Sequence, residues 1–457
     1  MRKAVLASPE RAGKVFLPGS RAHFLYNLGL AGALALTAPA WIPWMSLSAK
    51  RRRNFPDRLG TRLGRIPSPA GKQRIWIHGV SVGETLAAVS LVRDLKGRLP
   101  SAELFFSTVT ITGQEVAGKA LAGHVEETFF FPFDIPRISG KFLDRVCPDV
   151  VAILETEIWP NFLGECAARG IPVVILNGRV SERSFRGYGR FSSFFARVLA
   201  CVTAFAMQTE EDARRMIALG VDPTKVTVTG NMKFDVFFPP DSDSPFLSWL
   251  KGEKDKGTAW VVAGSTHEGE ENAVLSAFAD ARSVNPSARL LLAPRHPERF
   301  DAVADLCERR GWEVARKSRI ASGEEKKHSS PVVLLDTVGE LLASYAAGDI
   351  AFVGGSIAPK GGHNILEPAL FGVPSVTGPH TGNFREITEL FTRGNAVITV
   401  RDESDLRRRM EDWAADPAPF AEMGKRAKRL LESLRGASGR NASLVAGELS
   451  RRPGVAS

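Results

Sequence analysis

Cysteine is scarce in this chain, and its four cysteines stand far apart without a Cys-x-x-Cys pair. Their spacing argues against a disulfide framework and a zinc site, and it is typical of a protein that faces the reducing cytosol. No other group of residues has the spacing of a metal site, so we expect neither a metal nor another cofactor. Internal repeats and long low-complexity tracts are also absent, which confines the expected disorder to the ends and linkers.

A net positive charge is missing from most of the chain, although the formal net charge of the whole is +10. Residues 1–72 contain 13 Lys and Arg but only 2 Asp and Glu, and the rest of the chain sums to −1. The basic excess therefore belongs to the N-terminal region alone. Because nucleic-acid binding requires a basic patch on the folded body, we expect no nucleic-acid partner.

A long uncharged run lies inside this basic region, at residues 24–47 (FLYNLGLAGALALTAPAWIPWMSL). A run of this length spans a bilayer or lies in it. Residues 50–53 (KRRR) follow it in place of a small-residue cleavage site, which favours a retained anchor over a signal peptide. By the positive-inside tendency they keep the body on the cytoplasmic side, beside anionic headgroups. Pro39 and Pro43 weaken a straight spanning helix, so a monotopic segment is the alternative.

From Arg74 onward, short β-rich runs alternate with helical stretches, which predicts parallel sheets with crossover helices. Seven such runs precede the Pro- and Ser-rich stretch FFPPDSDSP, and six follow it. We therefore predict an α/β protein with two Rossmann-like, doubly wound domains, whose ligands bind at the carboxyl ends of the strands. The predicted boundaries are 1–54 for an N-terminal extension and anchor, 55–236 for the first domain, 237–245 for a linker, 246–430 for the second domain, and 431–457 for a C-terminal tail.

The Asp-x-Asp pair, Asp241 and Asp243, belongs to the linker and not to a metal site.

The second predicted domain contains a Gly-rich loop between a strand and a helix that begins near Asn364. Gly361 and Gly362 let the backbone come close to a ligand, and the free amides at the helix start favour a phosphate. Glu367, in the first turn, is suited to accept hydrogen bonds from ribose hydroxyls; the alternative is compensation of the helix dipole on an exposed helix start. This loop therefore predicts a nucleotide site.

Two other strand ends point to the same site. Arg295 is suited to a bidentate phosphate contact, with a surface pair to Glu298 as the alternative. Ser265 is either a ligand contact or a helix N-cap. The predicted donor-binding residues of this half are Ser265, His267, Arg295, His296, Gly361, Gly362, Asn364 and Glu367.

One acidic residue of the first half stands where an apolar run gives way to a helical pattern. In WIHGVSVGETLAAV, Glu84 follows Gly83 at the predicted start of a helix. Its position alone favours a capping role, and a helix start also favours the carboxylate form that a general base requires. The two roles stay open on these residues alone.

Seven blocks of the chain, in this order, resemble the 3-deoxy-D-manno-oct-2-ulosonic acid (Kdo) transferases of lipopolysaccharide biosynthesis. They are HGVSVGET (78–85), ILETEIWPN (153–161), NGRVSERSFRGY (177–188), GNMKFD (230–235), GSTHEGEE (264–271), APRHPERF (293–300) and GGSIAPKGGHNILEPALFGVPSVTGPHTGNF (354–384). The resemblance extends from the apolar run to about residue 430. It implies a GT-B glycosyltransferase with two domains facing a central cleft and the donor held by the second.

The resemblance also implies the substrates and the base. The donor is CMP-Kdo, and the acceptor is a lipid A precursor, lipid IVA, at the cytoplasmic face of the inner membrane. In the family, the Glu of the SVGET block deprotonates the acceptor hydroxyl of an inverting reaction, which makes Glu84 the catalytic residue. The acceptor-binding residues expected with it are Ser81, Gly83, Glu155, Arg179, Ser181, Arg183 and Ser184.

Three alternatives stay open. Glu155 and Glu157 are suited to a second acid/base role or to contact with an acceptor hydroxyl, and equally to a structural pair with a nearby arginine. The whole protein is alternatively another GT-B enzyme, such as a UDP-sugar transferase or a sugar-nucleotide epimerase. A membrane-attached nucleotide-binding protein that lost the chemistry is the non-enzymatic alternative.

Overall fold

The computed structural model describes residues 15–46, 49–61, 63–235, 245–322 and 330–451. The chain divides into two compact units. The first comprises Met1–Phe237 and Leu434–Ser457, and the second comprises Phe238–Ser433.

The first unit is built on one parallel sheet of seven strands in the order β3-β2-β1-β4-β5-β6-β7. The strands are β1 (Arg74–His78), β2 (Glu103–Thr108), β3 (Glu127–Phe130), β4 (Val150–Leu154), β5 (Val173–Gly178), β6 (Ala204–Met207) and β7 (Val226–Val228). The helices are α1 (Arg21–Ser46), α2 (Ala49–Arg58), α3 (Val82–Arg98), α4 (Ile111–Ala120), α5 (Pro136–Val146), α6 (Pro160–Ala168), α7 (Glu182–Gly189), α8 (Ser192–Leu199), α9 (Glu210–Ala218) and, after the second unit, α19 (Ala437–Ser450).

Helices cover both faces of this sheet, which explains the apolar character of the central strands. In β1, Trp76 packs into a core on one face and Ile77 into a core on the other. Every residue of β1 and β4 is buried. A strand buried on both faces reads as a continuous apolar run and not as an alternating one.

The second unit has a parallel sheet of the same size, in the order β10-β11-β9-β8-β12-β13-β14. Its strands are β8 (Ala259–Thr266), β9 (Ala288–Pro294), β10 (Val314–Arg316), β11 (Val332–Leu334), β12 (Ile350–Val353), β13 (Ser375–Thr377) and β14 (Ile398–Thr399). Its helices are α10 (Pro245–Asp255), α11 (Glu270–Val284), α12 (Phe300–Arg309), α13 (Lys317–Ser322), α14 (Leu341–Ser344), α15 (Leu366–Leu370), α16 (Arg385–Arg393), α17 (Glu403–Ala415) and α18 (Ala418–Leu434).

The predicted fold class is confirmed, with one strand missed. All seven strands predicted in the first half and all six predicted in the second half are present. The missed strand is β10, which has three residues and lies at the edge of its sheet. The predicted linker lies outside the described residues except for Pro245, and so do Asp241 and Asp243.

The predicted C-terminal tail is a structural part of the first unit. Helix α19 packs against α3 and carries buried residues such as Val445. The Asp235 carboxylate accepts hydrogen bonds at 2.6 Å from the backbone N–H groups of Gly436 and Ser438 at the start of this helix. The prediction of a tail without a defined role is therefore corrected for the residues of α19.

The N-terminal segment also belongs to the first unit, which corrects the prediction of a separate extension and anchor up to residue 54. Phe16 is fully buried in the core, and its backbone N–H donates to the Arg197 carbonyl at 3.0 Å. The Tyr26 hydroxyl donates to the Asp134 carboxylate at 3.1 Å. The side chain of Asn27 exchanges two hydrogen bonds with Asn161. The first turns of α1 are thus fastened to the sheet domain.

Helix α1 continues beyond these contacts as the apolar segment predicted from the sequence. It runs unbroken past Pro39 and Pro43. Residues Arg21–Trp41 are long and apolar enough to cross a membrane by length and composition, and Phe24 and Leu36 are exposed.

Candidate active site

Glu84 lies in the first turn of α3, just beyond the carboxyl end of β1. Ser81 is the N-cap: its hydroxyl accepts the Glu84 N–H at 3.4 Å and donates to Glu84 Oε1 at 2.8 Å. The Val80 N–H donates to Glu84 Oε2 at 2.6 Å. This reciprocal arrangement is a variant of the capping box, so the capping role is confirmed. Gly83 lies between Ser81 and Glu84 in this turn, and it has no side chain that could compete for their hydrogen bonds.

The pKa of Glu84 reflects its burial as well as its place at a helix start. The side chain is only 8% exposed. Burial raises the pKa of Glu84 more than the hydrogen bonds from Val80 and Ser81 lower it, and the charge of Glu155 raises this pKa further. The hydrogen bonds at the helix start favour the carboxylate form, as the sequence predicts, but desolvation outweighs them and the net shift of this pKa is upward. A raised pKa brings the group nearer to neutral pH, where a general base is most effective.

Two more carboxyl groups follow β4, and they interact electrostatically with Glu84. Glu155 has a φ of 57°, in the left-handed region that is uncommon for a residue with a side chain. Its carboxylate lies 3.9 Å from the Lys233 ammonium, so the cation beside it is a lysine and not the arginine of the structural alternative. Burial first, and then the charges of Glu84 and Glu155, raise the pKa of Glu157 to about 7.

Glu157 is therefore the third carboxyl group of this cluster, and it is missing from the predicted site residues. Its signal was present in the sequence, because it stands in the ILETEIWPN block next to Glu155. The charge of Glu155 disfavours the ionised forms of Glu84 and Glu157, and the charge of Glu84 also disfavours that of Glu157. The cluster can therefore hold or accept a proton near neutral pH.

The remaining predicted acceptor residues follow β5, at the start of α7. Ser181 is the N-cap of α7, and its hydroxyl accepts the Ser184 N–H at 3.1 Å. Arg179 and Arg183 are exposed. The Arg179 backbone exchanges hydrogen bonds with the Thr156 hydroxyl, which connects this segment to the cluster of carboxyl groups. Contact of these side chains with an acceptor stays a prediction.

In the second unit, three histidines meet beyond β8 and β9. Nε2 of His267 lies 2.9 Å from Nε2 of His363. The His267 and His296 rings are 5.1 Å apart in an edge-on arrangement. Burial, followed by the nearby cationic groups, lowers the pKa of His363 to about 4, which keeps its ring neutral at physiological pH. Within the described ranges, no group of three His, Cys, Asp or Glu side chains is arranged to hold a metal ion.

Ser265 lies at an irregularity of β8 and not at a helix start. It has a φ of 56°, and the pairing of β8 with β9 shifts between Gly264 and Thr266. The N-cap of α11 is Gly269, without a side-chain hydrogen bond. The alternative that Ser265 caps this helix is therefore wrong.

A buried carboxylate that the sequence analysis missed organises the Gly-rich loop. Glu270 is fully buried, and it accepts hydrogen bonds from four consecutive backbone N–H groups, those of residues 355–358, at 2.7 to 3.1 Å. It also accepts the His267 N–H at 2.9 Å. No sequence signal marks the contacts of Glu270 with the loop, because 85 or more positions separate the two.

The second half of this loop contains the predicted phosphate-binding residues. Gly361 has a φ of +90°, and a Cβ there would lie 2.6 Å from the Asn383 side chain, so only glycine fits. Gly362 has a φ of +74°. Helix α15 begins at Leu366, two residues later than predicted, and the Asn364 side chain accepts the Leu366 N–H at 3.1 Å.

Glu367 and Arg295 interact across this loop. Burial raises the pKa of Glu367 to about 7, although a hydrogen bond with Asn364 and the charge of Arg295 oppose the shift. Glu367 is half-buried, so dipole compensation on an exposed helix start does not describe it. Arg295 is exposed, and the Glu298 carboxylate lies 3.7 Å from His296. The structure therefore brings Arg295, Asn364, Glu367 and the histidines together at the carboxyl ends of β8, β9 and β12.

Comparison with known proteins assigns the fold and the family. The UDP-GlcNAc 2-epimerase from Neisseria meningitidis bound to UDP-GlcNAc matches 83% of this chain and 100% of its own, with a TM-score of 0.50 and 13% identity. That likeness concerns the fold alone, and it agrees with the GT-B class.

The relatives found by sequence share more identical residues with this chain. Residues 57–236 match the family described as 3-Deoxy-D-manno-octulosonic-acid transferase (kdotransferase). The 3-deoxy-D-manno-octulosonic acid transferase of Haemophilus influenzae is 34% identical over 424 residues, which cover 92% of this chain and 97% of that protein. The protein of the same name from Bordetella pertussis is 33% identical over 430 residues, covering 91% and 97%. The chain belongs to the family of Kdo transferases, which are glycosyltransferases.

Proposed function

We propose that this protein transfers Kdo from CMP-Kdo to the lipid A precursor lipid IVA, with inversion at the anomeric carbon. The observation that carries the proposal is the buried Glu84, with its raised pKa, at the carboxyl end of β1 in a chain of the Kdo transferase family. Membership of this family also favours Kdo transfer over a UDP-sugar reaction.

Glu84 is the general base of the proposed reaction. It takes the proton of the acceptor hydroxyl as that oxygen attacks the anomeric carbon opposite the leaving phosphate. Each Glu84 oxygen accepts one hydrogen bond within the protein, from Val80 or from Ser81. Because a carboxylate oxygen has a second lone pair, Glu84 can accept the acceptor hydroxyl without giving up its cap.

The donor is assigned to the second unit. Arg295 is exposed beside Glu367, and a guanidinium there is suited to the phosphate of CMP-Kdo. Glu367 and Asn364 are suited to polar groups of the nucleotide. The leaving group is a nucleoside monophosphate, whose developing charge one arginine and nearby donors can stabilise.

Because the proposed acceptor is a lipid, the proposed reaction takes place at a membrane, and we assign it to the cytoplasmic face of the inner membrane. Arg21–Trp41 is long and apolar enough to cross a membrane, and residues 50–53 (KRRR) lie a few positions beyond it. An apolar helix beside a basic cluster binds a membrane with anionic lipids through both insertion and charge.

The deciding experiment uses the full-length protein in detergent, CMP-Kdo and a tetraacylated lipid A precursor. Mass analysis of the lipid is expected to show the added mass of Kdo and to count the residues transferred. Calorimetric titrations with CMP and with UDP complete the test. No Kdo transfer together with preferential UDP binding would replace the proposal by a UDP-sugar activity, and tight CMP binding without transfer would support the non-enzymatic alternative.

A further inference from the structure

Arg58 is the last residue of α2, and the loop that follows β3 holds its guanidinium in place. Its Nε donates to the Phe131 carbonyl at 3.0 Å, and its own carbonyl accepts the Phe133 N–H at 3.3 Å. The guanidinium carbon lies 4.2 Å from the centre of the Phe133 ring. A guanidinium has five N–H donors, and in the described part of the chain only the Nε donor of Arg58 has a hydrogen-bond partner.

The positive charge of Arg58 is not offset by an acidic side chain among the described residues. Burial alone lowers the pKa of Arg58 to about 10. Asp134, which follows Phe133 in the chain, has its carboxylate engaged by the backbone N–H groups of Asn161 and Phe162. A partly buried guanidinium without an anion is unfavourable, so an anion from outside the protein would stabilise this arrangement.

The neighbour of Arg58 at the sheet is a neutral histidine. His78 is the last residue of β1, and its ring stacks on Phe131 with 3.9 Å between the ring centres. Burial first, and also the charge of Arg58, lower the pKa of His78 to about 3. Arg58 therefore lies near the carboxyl end of β1, the strand end from which the loop to Glu84 departs.

Helix α2 also connects Arg58 to the apolar segment. It follows α1 after two residues and begins with the basic stretch that includes residues 50–53 (KRRR). A lipid held by these parts of the chain has its phosphate groups at the level of such basic residues. A rigid arginine with free donors matches a phosphate monoester, because its planar fork binds two oxygens at once.

We propose that Arg58 binds a phosphate group of the acceptor lipid and thereby positions that lipid at the first unit. This inference deepens the proposed function and rests on it for the identity of the acceptor. It assigns Arg58 a binding role that does not touch the reacting atoms. Removal of Arg58 is therefore expected to raise KM for the acceptor and to leave kcat largely unchanged.

The experiment compares acceptors that differ only in phosphate. Full-length wild type, Arg58→Ala and Arg58→Lys are assayed in detergent with the bisphosphorylated tetraacyl disaccharide and with each of its two monophosphorylated forms. Loss of one charge-assisted contact predicts a KM that is roughly ten- to a hundredfold higher for Arg58→Ala on the bisphosphorylated acceptor. On the acceptor lacking the contacted phosphate, wild type and Arg58→Ala are expected to have the same KM. Arg137→Ala, which removes an exposed arginine of α5, is the matched control and is expected to match wild type throughout.

Other results would overturn the inference. An Arg58→Ala effect of equal size on all three acceptors, or a loss confined to kcat, shows a structural role in the loop of Phe131 and Phe133. If Arg58→Ala does not fold, Arg58→Lys decides: a KM increase only on acceptors that carry the contacted phosphate supports the inference, and a uniform or absent effect overturns it.

Two further measurements distinguish the remaining explanations of a negative result. Weaker sedimentation of Arg58→Ala with phosphatidylglycerol vesicles, with unchanged KM in micelles, shows general headgroup binding and overturns the inference. Absence of Kdo transfer by wild type on every acceptor overturns the proposed function, and this inference with it. An active wild type with no phosphate-dependent effect of Arg58 overturns this inference alone.

Discussion

Ser81 and Glu84 hold each other at the start of α3: the Ser81 hydroxyl donates to the Glu84 carboxylate at 2.8 Å and accepts the Glu84 N–H at 3.4 Å. The sequence left capping and proton transfer as alternatives for Glu84, but this geometry is compatible with both. The cap fixes the position and rotamer of the carboxylate, and a general base requires such a fixed position. Substitutions that remove the proton acceptor or a helix cap separate the two roles.

Glu84→Gln is expected to fold and bind CMP normally but to lose transfer by at least about 100-fold. Glutamine preserves a capping box, whereas its amide cannot take the acceptor's proton. Single-turnover formation of the Kdo-lipid product, followed by mass spectrometry, measures the loss. Turnover close to wild type would show that Glu84 is a cap and not the base.

A control for lost capping is available in the second unit. Asp402 caps α17 by accepting the Asp405 N–H at 2.9 Å. Asp402→Ala is expected to lower the free energy of unfolding, because it removes a helix cap, and to leave the transfer rate near that of wild type. The two variants together separate the effect of a weakened helix start from the effect of a lost base.

The transfer rate is expected to fall at acidic pH, and the raised pKa of Glu84 sets where the fall begins. Only the deprotonated base is active, so activity is lost as the pH falls through this pKa. The negative charge of Glu155 raises the pKa of both Glu84 and Glu157. Glu155→Gln is therefore expected to lower both pKa values and to move the acid limb of the pH profile of kcat/KM to lower pH.

The matched control for this profile is Glu210→Gln, which neutralises an exposed glutamate at the start of α9. Its acid limb is expected to coincide with that of wild type. If Glu155→Gln moves the limb upward or leaves it in place, the cluster does not set the protonation of the base.

The fold was predictable because its signals are local. Central strands such as β1 and β4 are buried and are largely continuous apolar runs, and all thirteen runs predicted from the sequence correspond to strands. The strand β10 was missed because its three residues, VAR, include a charged one and are too short for a periodic signal.

The candidate site was only partly predictable, because several of its contacts join distant positions. Glu270 looks like an ordinary acidic residue of a first helical turn, but its carboxylate binds a loop more than 80 positions away. Phe16 stands in a short stretch without helical or strand periodicity, although it fills the space beside Gly164. Sequence pattern reports the period of an element and not its distant partners.

Arg295→Ala and Glu367→Ala are expected to weaken CMP binding, for Arg295 by roughly tenfold or more, the size of one charge-assisted hydrogen bond. Calorimetric titration of CMP measures both. The affinity is expected to be the same with and without EDTA, because the proposed site uses protein groups alone. Arg309→Ala, an exposed arginine of α12, is the control and is expected to bind CMP as wild type does. Binding lost in EDTA and restored by magnesium would contradict the proposed donor site.

The N-terminal segment is expected to stabilise the first unit as well as to bind the membrane. Phe16 is fully buried, whereas Phe24, eight residues further along, is 64% exposed. Phe16→Ala is therefore expected to lower the free energy of unfolding by about 3–5 kcal/mol, and Phe24→Ala by less than about 0.5 kcal/mol.

Deletion of residues 1–48 removes Phe16, Tyr26 and Asn27 together, and the truncated protein is expected to melt at a lower temperature and to lose transfer even with detergent-dispersed acceptor. Phe24→Ala, in contrast, is expected to fold as stably as wild type and to bind vesicles more weakly, because it removes only exposed apolar surface. Thermal unfolding in detergent and flotation with liposomes measure the two properties separately. A truncated protein that keeps wild-type stability and full activity would show that the contacts of Phe16 and Tyr26 are dispensable, and that the anchor is separable from the enzyme after all.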